Sequence, residues 1–369
     1  MDFTLTEAQQ DLAELTRRIG TDRATPARQR EVEAGPDRFD RELWAALAEA
    51  GVLAAALPEN VGGSGFGLLE QCSVLVELGR AVAPVPYLPS IVMAASALAH
   101  FGDAGQRERW AVPAARGDLV LTAALVEEHG EDPTMPVTRA DHTADGWLLT
   151  GSKTAVPAGP VADAILVPAT TPQGLAVFLV TPDDPGVSTE RQRIVDADSE
   201  AWLDLAGVPL TVDRRLAGAE AVEWLAARGT IGLVATQLGV AERALELTAE
   251  YARTRVQFDK PIGAFQAVAQ RLADAYVDVE AIRLTLWQAA WRCETGLPSD
   301  TEIATAKFWA ADGGHRVAHT AVHVHGGVGI DVDHALHRYF LAAKRNEFAL
   351  GGATAQLRRI GATLAAVPA

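Results

Sequence analysis

Two cysteines, Cys72 and Cys293, stand in 369 residues, and no CxxC pair is present. That excludes a disulfide framework and fits a reducing compartment. Positive charge is also scarce: 32 Lys and Arg against 48 Asp and Glu leave a net charge of −16. Non-specific binding to nucleic acid or to an anionic membrane needs basic patches, so neither is expected. A local basic pocket for one polyanionic cofactor stays compatible with that charge. No apolar run approaches the ~18–20 residues that span a bilayer. The opening Met1-Asp-Phe-Thr-Leu-Thr-Glu lacks the basic start and apolar stretch of a signal peptide. The expectation is a cytoplasmic protein. The nucleotide phosphate-loop pattern and HExxH are absent as well, and no internal repeat or low-complexity segment occurs. His315, His319 and His323 share a helical face at i, i+4 and i+8, but no metal site is expected there. Packing, capping and cofactor contacts account better for such a stripe.

What is present is a large apolar complement, 49% of residues with 22% charged, enough for two or three folded domains. The pattern changes twice along the chain. Residues 1–117 are helical in period: Leu43, Ala46, Leu47 and Ala50 fall on one face, and a helix is expected from near Gly67 to about Arg80. Between them Gly62-Gly63-Ser-Gly65 reads as a loop. Residues 118–215 shorten into strand-length runs, Ala164-Ile-Leu-Val and Leu175-Ala-Val-Phe-Leu-Val, with Asp145-Gly146 as a hairpin turn. Residues 216–369 return to long helices. Val234, Leu238, Ala241 and Leu245 lie at helical spacing, and Pro261 and Pro298 mark helix boundaries. Four long helices of this kind predict a bundle. Asp331, Asp333 and His334 are expected to start a helix by capping.

The C-terminal zone carries three motif blocks. The first is Arg255-Val-Gln257-Phe258-Asp-Lys-Pro261-Ile-Gly-Ala-Phe265-Gln266. The second is His323-Val-His-Gly326-Gly327-Val-Gly329. The third is Phe348-Ala-Leu-Gly-Gly352-Ala-Thr354-Ala-Gln356-Leu-Arg-Arg. Together they closely resemble the C-terminal domain of acyl-CoA dehydrogenases, flavoproteins that desaturate acyl-CoA thioesters. Helices, β-domain and helices is also that family's domain order, so the resemblance covers the whole chain. Pro58-Glu-Asn-Val-Gly62-Gly63-Ser-Gly65 matches a family loop between N-terminal helices. The resemblance implies an α+β fold: an N-terminal helical domain, a central β-domain and a C-terminal four-helix bundle.

It also implies FAD. An arginine grips a pyrophosphate with paired charge-assisted hydrogen bonds, and Arg255 has that role by resemblance. Gln257, Phe258, Gln266, His323, Gly326 and Gly327 join it as cofactor contacts, with Thr354 and Gln356 from the third block. In the family the first two blocks reach the adenine end of FAD held by a neighbouring subunit. His323 stands where the family has glutamine; it can still donate one hydrogen bond.

The chemistry of desaturation needs a base to take the α-proton while hydride leaves Cβ. The family's glutamate falls on Gly352, and its alternative position falls on Gly229, with Thr230 where an arginine commonly follows. Glu223 lies nearly two turns upstream of Gly229. The flavin-ring loop is replaced by Leu125-Val-Glu127-Glu128-His-Gly-Glu-Asp-Pro133. The family strand Gly-x-Lys-x-Trp-Ile-Thr-Asn keeps Gly151 and Lys153 but has Ala155, Pro157 and Ala158 for its aromatic, threonine and asparagine. No catalytic residue is therefore expected in this chain. The resemblance extends to the glutamate-less subunits of split dehydrogenases in actinobacterial steroid side-chain breakdown. It implies an α2β2 assembly with a glutamate-bearing paralogue, a bulky and possibly steroid-bearing acyl-CoA, and electron-transfer flavoprotein as acceptor. Two alternatives stand beside it. One is a self-sufficient homomeric flavoenzyme with a relocated base at Glu127 or Glu128; the other is a structural or regulatory paralogue that touches no cofactor.

Overall fold

The computed structural model describes residues 4–128, 130 and 132–366. His129 and Glu131 of the substituted loop lie outside the described residues. The chain packs as two compact units: 27–71 with 84–229, and 1–26 with 72–83 and 230–369.

The first of these is built on an eight-stranded sheet. Its strands are β1 (Leu121–Ala123), β2 (Arg139–His142), β3 (Gly146–Pro157), β4 (Ala164–Thr171), β5 (Gly174–Val180), β6 (Val187–Gln192), β7 (Glu200–Thr211) and β8 (Arg215–Ala217). They run in the order β6-β7-β3-β2-β4-β5-β8, with β1 parallel to β4. The β4–β5 hairpin is the pair of apolar runs seen in the sequence, registered from Ile165↔Val180 to Thr171↔Gly174. Asp145-Gly146 closes β2 onto β3 as expected, with Thr143 N donating to Gly146 O. Inward residues of the strands, among them Trp147, Leu149, Ile165, Val167, Phe178, Leu203 and Leu205, form one core. In the preceding helix Arg41–Glu49, Leu43 and Leu47 are fully buried and Asp40 caps the N-terminus. Ala50 is not on that face: it is the exposed C-cap, and Trp44 fills the core instead. In the glycine loop, a Cβ on Gly63 would sit 1.9 Å from the Leu57 carbonyl, which only glycine avoids.

The second unit is helical. It contains α1 (Glu7–Arg23), α2 (Leu68–Arg80, from Cys72), α3 (Ala219–Thr254, from Thr230), α4 (Gln266–Glu294), α5 (Asp300–His325), α6 (Leu336–Phe348) and α7 (Ala353–Ala366). Of these, α3 to α7 make up the predicted C-terminal helical domain, as three long helices and two short ones. Between α6 and α7 the chain turns with Leu350 at φ 55° and Gly351 at φ 92°, a left-handed pair that no helix continues through. Glycines bring α2 and α3 into near contact. A Cβ on Gly239 would lie 1.9 Å from Val76 O, and one on Gly79 would lie 2.3 Å from Thr236 O. Ion pairs lace the same helices: Arg17 to Glu77 at 2.7 Å, Arg80 to Glu242 at 2.8 Å, and Arg283 to Glu242 at 2.8 Å. Before α6, the Asp331 carboxylate accepts from Asp333 N and His334 Nδ1 from Leu336 N. The expected cap differs: the N-cap position is Ala335 with no side-chain bond, Asp331 ties only its own loop, and His334 alone meets a first-turn N–H.

Candidate functional site

The first motif block forms a small exposed device at the end of α3. Val256–Gln257 (β9) and Lys260–Pro261 (β10) pair antiparallel across a two-residue turn. Both turn residues are left-handed, Phe258 at φ 55° and Asp259 at φ 63°, the geometry of a tight hairpin that glycine normally supplies. A bulky residue there is strained backbone, a feature that clusters at ligand clamps. Phe258 is 87% exposed. Its ring meets Phe265 edge-on at 6.1 Å, and Lys260 Nζ lies 4.4 Å over the Phe265 ring. Arg255 and Gln257 are exposed beside it. Gln266 opens α4, whose N-cap Phe265 offers no side-chain acceptor. Within the first turn Val268 N donates to Phe265 O, and the positive end of this 29-residue helix stands at Gln266 without a side-chain cap.

The second block terminates α5. Gly326 takes φ 65°, ψ −146°, a conformation essentially reserved for glycine. A Cβ on Gly327 would meet nothing within 4 Å, so packing inside the chain does not demand glycine there. His323, Gly326 and Gly327 are exposed. Their neighbour His325 is the buried one. Its ring stacks on Tyr251 at 4.3 Å, its Nδ1 lies 2.9 Å from Ala321 O, and burial holds its pKa below the ordinary imidazole value. Because Arg255 N donates to Tyr251 O, this stack brings the first two blocks to one end of the helical unit. A groove of about 550 Å³ runs on from His323 between α4 and α5, past Arg271, His319 and His315. Among the described residues no cluster of His, Cys, Asp and Glu could hold a metal ion.

The third block lies elsewhere. The turn after α6 is tied to Lys307 on α5, sixteen residues and so about 24 Å along the helix from His323. Thr354 is exposed there. Gln356 is 1% exposed; its Nε2 donates to Leu350 O at 3.1 Å and Gly351 O at 3.2 Å, and its Oε1 has no partner. The nine candidate contacts thus form two groups at opposite ends of α5. Gly352 caps α7 with room to spare: a Cβ there would meet Glu347 O at 3.6 Å and Phe348 Cδ1 at 3.9 Å. Gly229 is buried within α3, and Glu223 is exposed.

In the sheet unit, Glu127 is fully engaged. Its Oε1 accepts from Lys153 Nζ at 2.7 Å, Thr138 Oγ1 at 2.6 Å and Thr138 N at 2.9 Å, and its Oε2 from Val137 N at 2.6 Å. Burial alone raises a carboxyl pKa, but here the Lys153 and Thr138 bonds prevail and hold it below the ordinary range. Lys153 is fully buried. β3 bulges between Lys153 and Val156, and Ala155 and Ala158 are left-handed at φ 49° and 55°. The Ala155 N–H donates to Gln192 Oε1 at 2.7 Å, and Thr122 Oγ1 donates to Pro157 O. The chain's own side chains therefore occupy the polar groups of this strand. Thr138, Gln192 and Lys307 escaped the sequence reading. Lys307 alone left a signal, a cation at helical spacing among Ile303, Ala304, Ala310 and Ala311.

Models of the N- and C-terminal domains of acyl-CoA dehydrogenases match residues 6–118 and 217–365. The chain is 55% identical to the acyl-CoA dehydrogenase FadE27 of Mycobacterium tuberculosis, with all of both chains covered. It is similar to a chain of the ChsE4–ChsE5 complex from the same organism, with TM-score 0.97, 55% identity and both chains fully covered. It is also similar to a chain of a variant of the Tcur3481–Tcur3483 steroid acyl-CoA dehydrogenase, with TM-score 0.94 and 44% identity over 98% of this chain and 99% of that one. With both terminal domains matched and the α+β architecture shared from end to end, the chain belongs to the acyl-CoA dehydrogenase family.

Proposed function

We propose that this chain is the glutamate-less subunit of a heteromeric FAD-dependent acyl-CoA dehydrogenase. The observation that carries the reading is a division within one molecule. Both family base positions are glycine, Gly352 and Gly229, while the Arg255–Gln266 hairpin and the His323–Gly327 turn stand exposed at one end of the helical unit. In this reading Arg255, Gln257, Phe258, Gln266, His323, Gly326 and Gly327 hold the adenine and pyrophosphate edge of FAD whose ring lies on a glutamate-bearing paralogue. Thr354 is exposed to a cofactor from the other end of α5; Gln356, expected from the sequence as a second contact, is buried and holds the preceding turn instead. The proposed domain division is 1–117, 118–215 and 216–369, supported by family matches over 6–118 and 217–365.

The residues present fit one part of FAD and not the other. An exposed guanidinium, a helix N-terminus without a side-chain cap and an uncrowded glycine suit a pyrophosphate. The β3 strand does not suit the flavin ring: Ala155 has no face to cover it, Pro157 has no N–H, and the Ala155 N–H is bonded to Gln192. Bound flavin supplies hydride acceptance; this chain's residues bind and orient the dinucleotide and move no proton. The substrate is proposed to be a bulky, possibly steroid-bearing, acyl-CoA, because the Tcur3481–Tcur3483 relative is a steroid acyl-CoA dehydrogenase. Electron-transfer flavoprotein is the proposed acceptor.

Against a relocated base stands Glu127, whose carboxylate is saturated by four donors and held ionised. A paralogue without cofactor contact would leave the strain at Phe258 without a purpose. The test is the visible spectrum of the chain purified alone and after co-expression with a glutamate-bearing paralogue. A colourless chain that gives a yellow, active complex is expected. A chain that is yellow and active alone overturns the proposal.

A further inference from the structure

Lys307 lies about two turns into α5 from its N-terminus, fully buried. A methionine or leucine would fill the same space without the desolvation cost of an ammonium group. Its hydrogen bonds explain the choice. Nζ donates to Asn346 O and to Glu347 O, each at 3.1 Å, two of the carbonyls that α6 leaves without an intrahelical partner at its end. The remaining carbonyls of this turn are nearly all accounted for. Arg345 O accepts from Ala349 N, and Phe348 O from Gly351 N. Leu350 O and Gly351 O accept from Gln356 Nε2, and Gly352 O from Gln356 N. Two buried side chains, Lys307 from one side and Gln356 from the other, thus hold a turn whose Leu350 is in an unfavourable left-handed conformation.

The support behind Lys307 is also polar. Asn346 Nδ2 donates to Gln237 Oε1 at 2.9 Å. Gln237 is fully buried against Gly314, where a Cβ would fall 2.0 Å from its Nε2. A chain of buried polar groups therefore links α3, α6 and α5 behind the turn.

We propose that Lys307 is a positioning residue that fixes the Phe348–Gly352 turn and thereby the placement of Thr354 and Gln356. Its bearing on cofactor binding rests on the reading of Thr354 given above. The charged groups around it are few. Glu347 faces it from α6, and that carboxylate is itself held by Lys344 at 2.6 Å and His315 Nδ1 at 3.0 Å; Gln237 and Asn346 are neutral. Burial pushes the Lys307 pKa down to about 7, with Glu347 opposing. Opening the turn wets Lys307 and restores its ordinary pKa, so the open state binds the proton more tightly and closure is increasingly favoured as pH rises through neutrality.

The test is amide hydrogen exchange on the co-expressed complex at several pH values, reported as protection relative to the unstructured chain. K307M should lower protection of the 346–356 segment about tenfold or more and leave the 323–330 turn unchanged. In the wild type, protection of 346–356 should rise several-fold between pH 6 and 8.5, and that pH response should vanish in K307M. K307R, which keeps charge and donors, should retain part of the protection. Unchanged protection of the turn in K307M overturns the proposal. If K307M does not assemble, a flat wild-type pH profile overturns it instead. FAD affinity then separates the two layers: a loss in T354A but none in K307M sinks the link from Lys307 to the cofactor. No loss in T354A sinks the cofactor reading of Thr354 and leaves the exchange result standing.

Discussion

Two carboxylate positions show how much a single side chain decides. Glu127 looks in the sequence like a free acid in a loop, and in the structure it is a buried anchor bonded to Lys153, Thr138 and Val137. Removing it strands the buried Lys153 ammonium. E127A should therefore destabilise the chain by about 3–5 kcal/mol, measured by urea unfolding. Because its folded pKa is depressed, Glu127 contributes stability above the ordinary carboxylate pKa. That contribution is lost as pH falls through the lower folded value. The wild type should lose more stability than E127A below about pH 4. Gly352 is the opposite case. A side chain fits there, since the nearest atoms to a built Cβ are in ordinary contact. G352E should fold with stability within about 1 kcal/mol of wild type. It should show no dehydrogenase turnover alone, because Ala155, Pro157 and the occupied Ala155 N–H remain. Substantial turnover by this single variant would remove the main support for a non-catalytic subunit.

At the scale of elements, helix contacts depend on backbone reaching backbone. Gly239 on α3 lies against Val76 O of α2, and the obstacle to any Cβ is a main-chain oxygen that cannot swing away. G239A should cost about 1–3 kcal/mol, the usual range for overpacking, with chemical denaturation as the check; a neutral result would mean that α2 moves freely. The turn between α6 and α7 belongs to this scale too. The break is set by Leu350 and Gly351 in left-handed conformations, stabilised by Lys307 and Gln356 from outside the turn. The Gly351-Gly352 pair marks a break locally, but nothing local shows that donors from residues 307 and 356 hold it. The β4–β5 and β2–β3 hairpins and the break between α4 and α5, by contrast, are legible, since apolar runs, Asp-Gly and Pro298 act locally.

For the molecule as a whole, the three motif blocks resolve into two groups at opposite ends of α5. Arg255 belongs to the end that carries the strained hairpin and the Gly326 turn. R255A should lower the FAD content of a co-expressed complex about tenfold or more, as loss of a charge-assisted bidentate contact implies, without lowering the complex's thermal stability in the absence of FAD. Equal FAD content in R255A and wild type would favour a paralogue that touches no cofactor. Among the described residues no helix is long and apolar enough to cross a membrane.

The sequence by itself determined the family, the order of helices, sheet and helices, and the glycines at positions 229 and 352. These are properties of residue type and spacing, written in the chain one position at a time. Only the tertiary structure decided that Glu127 is bound rather than available, that Gln192 engages the Ala155 N–H, and that Lys307 anchors the turn below Gly352. Each of those depends on polar groups from distant segments meeting out of water, where an unpaired donor or charge is too costly to leave. Such pairings follow from the folded core, and spacing along the chain carries no record of them.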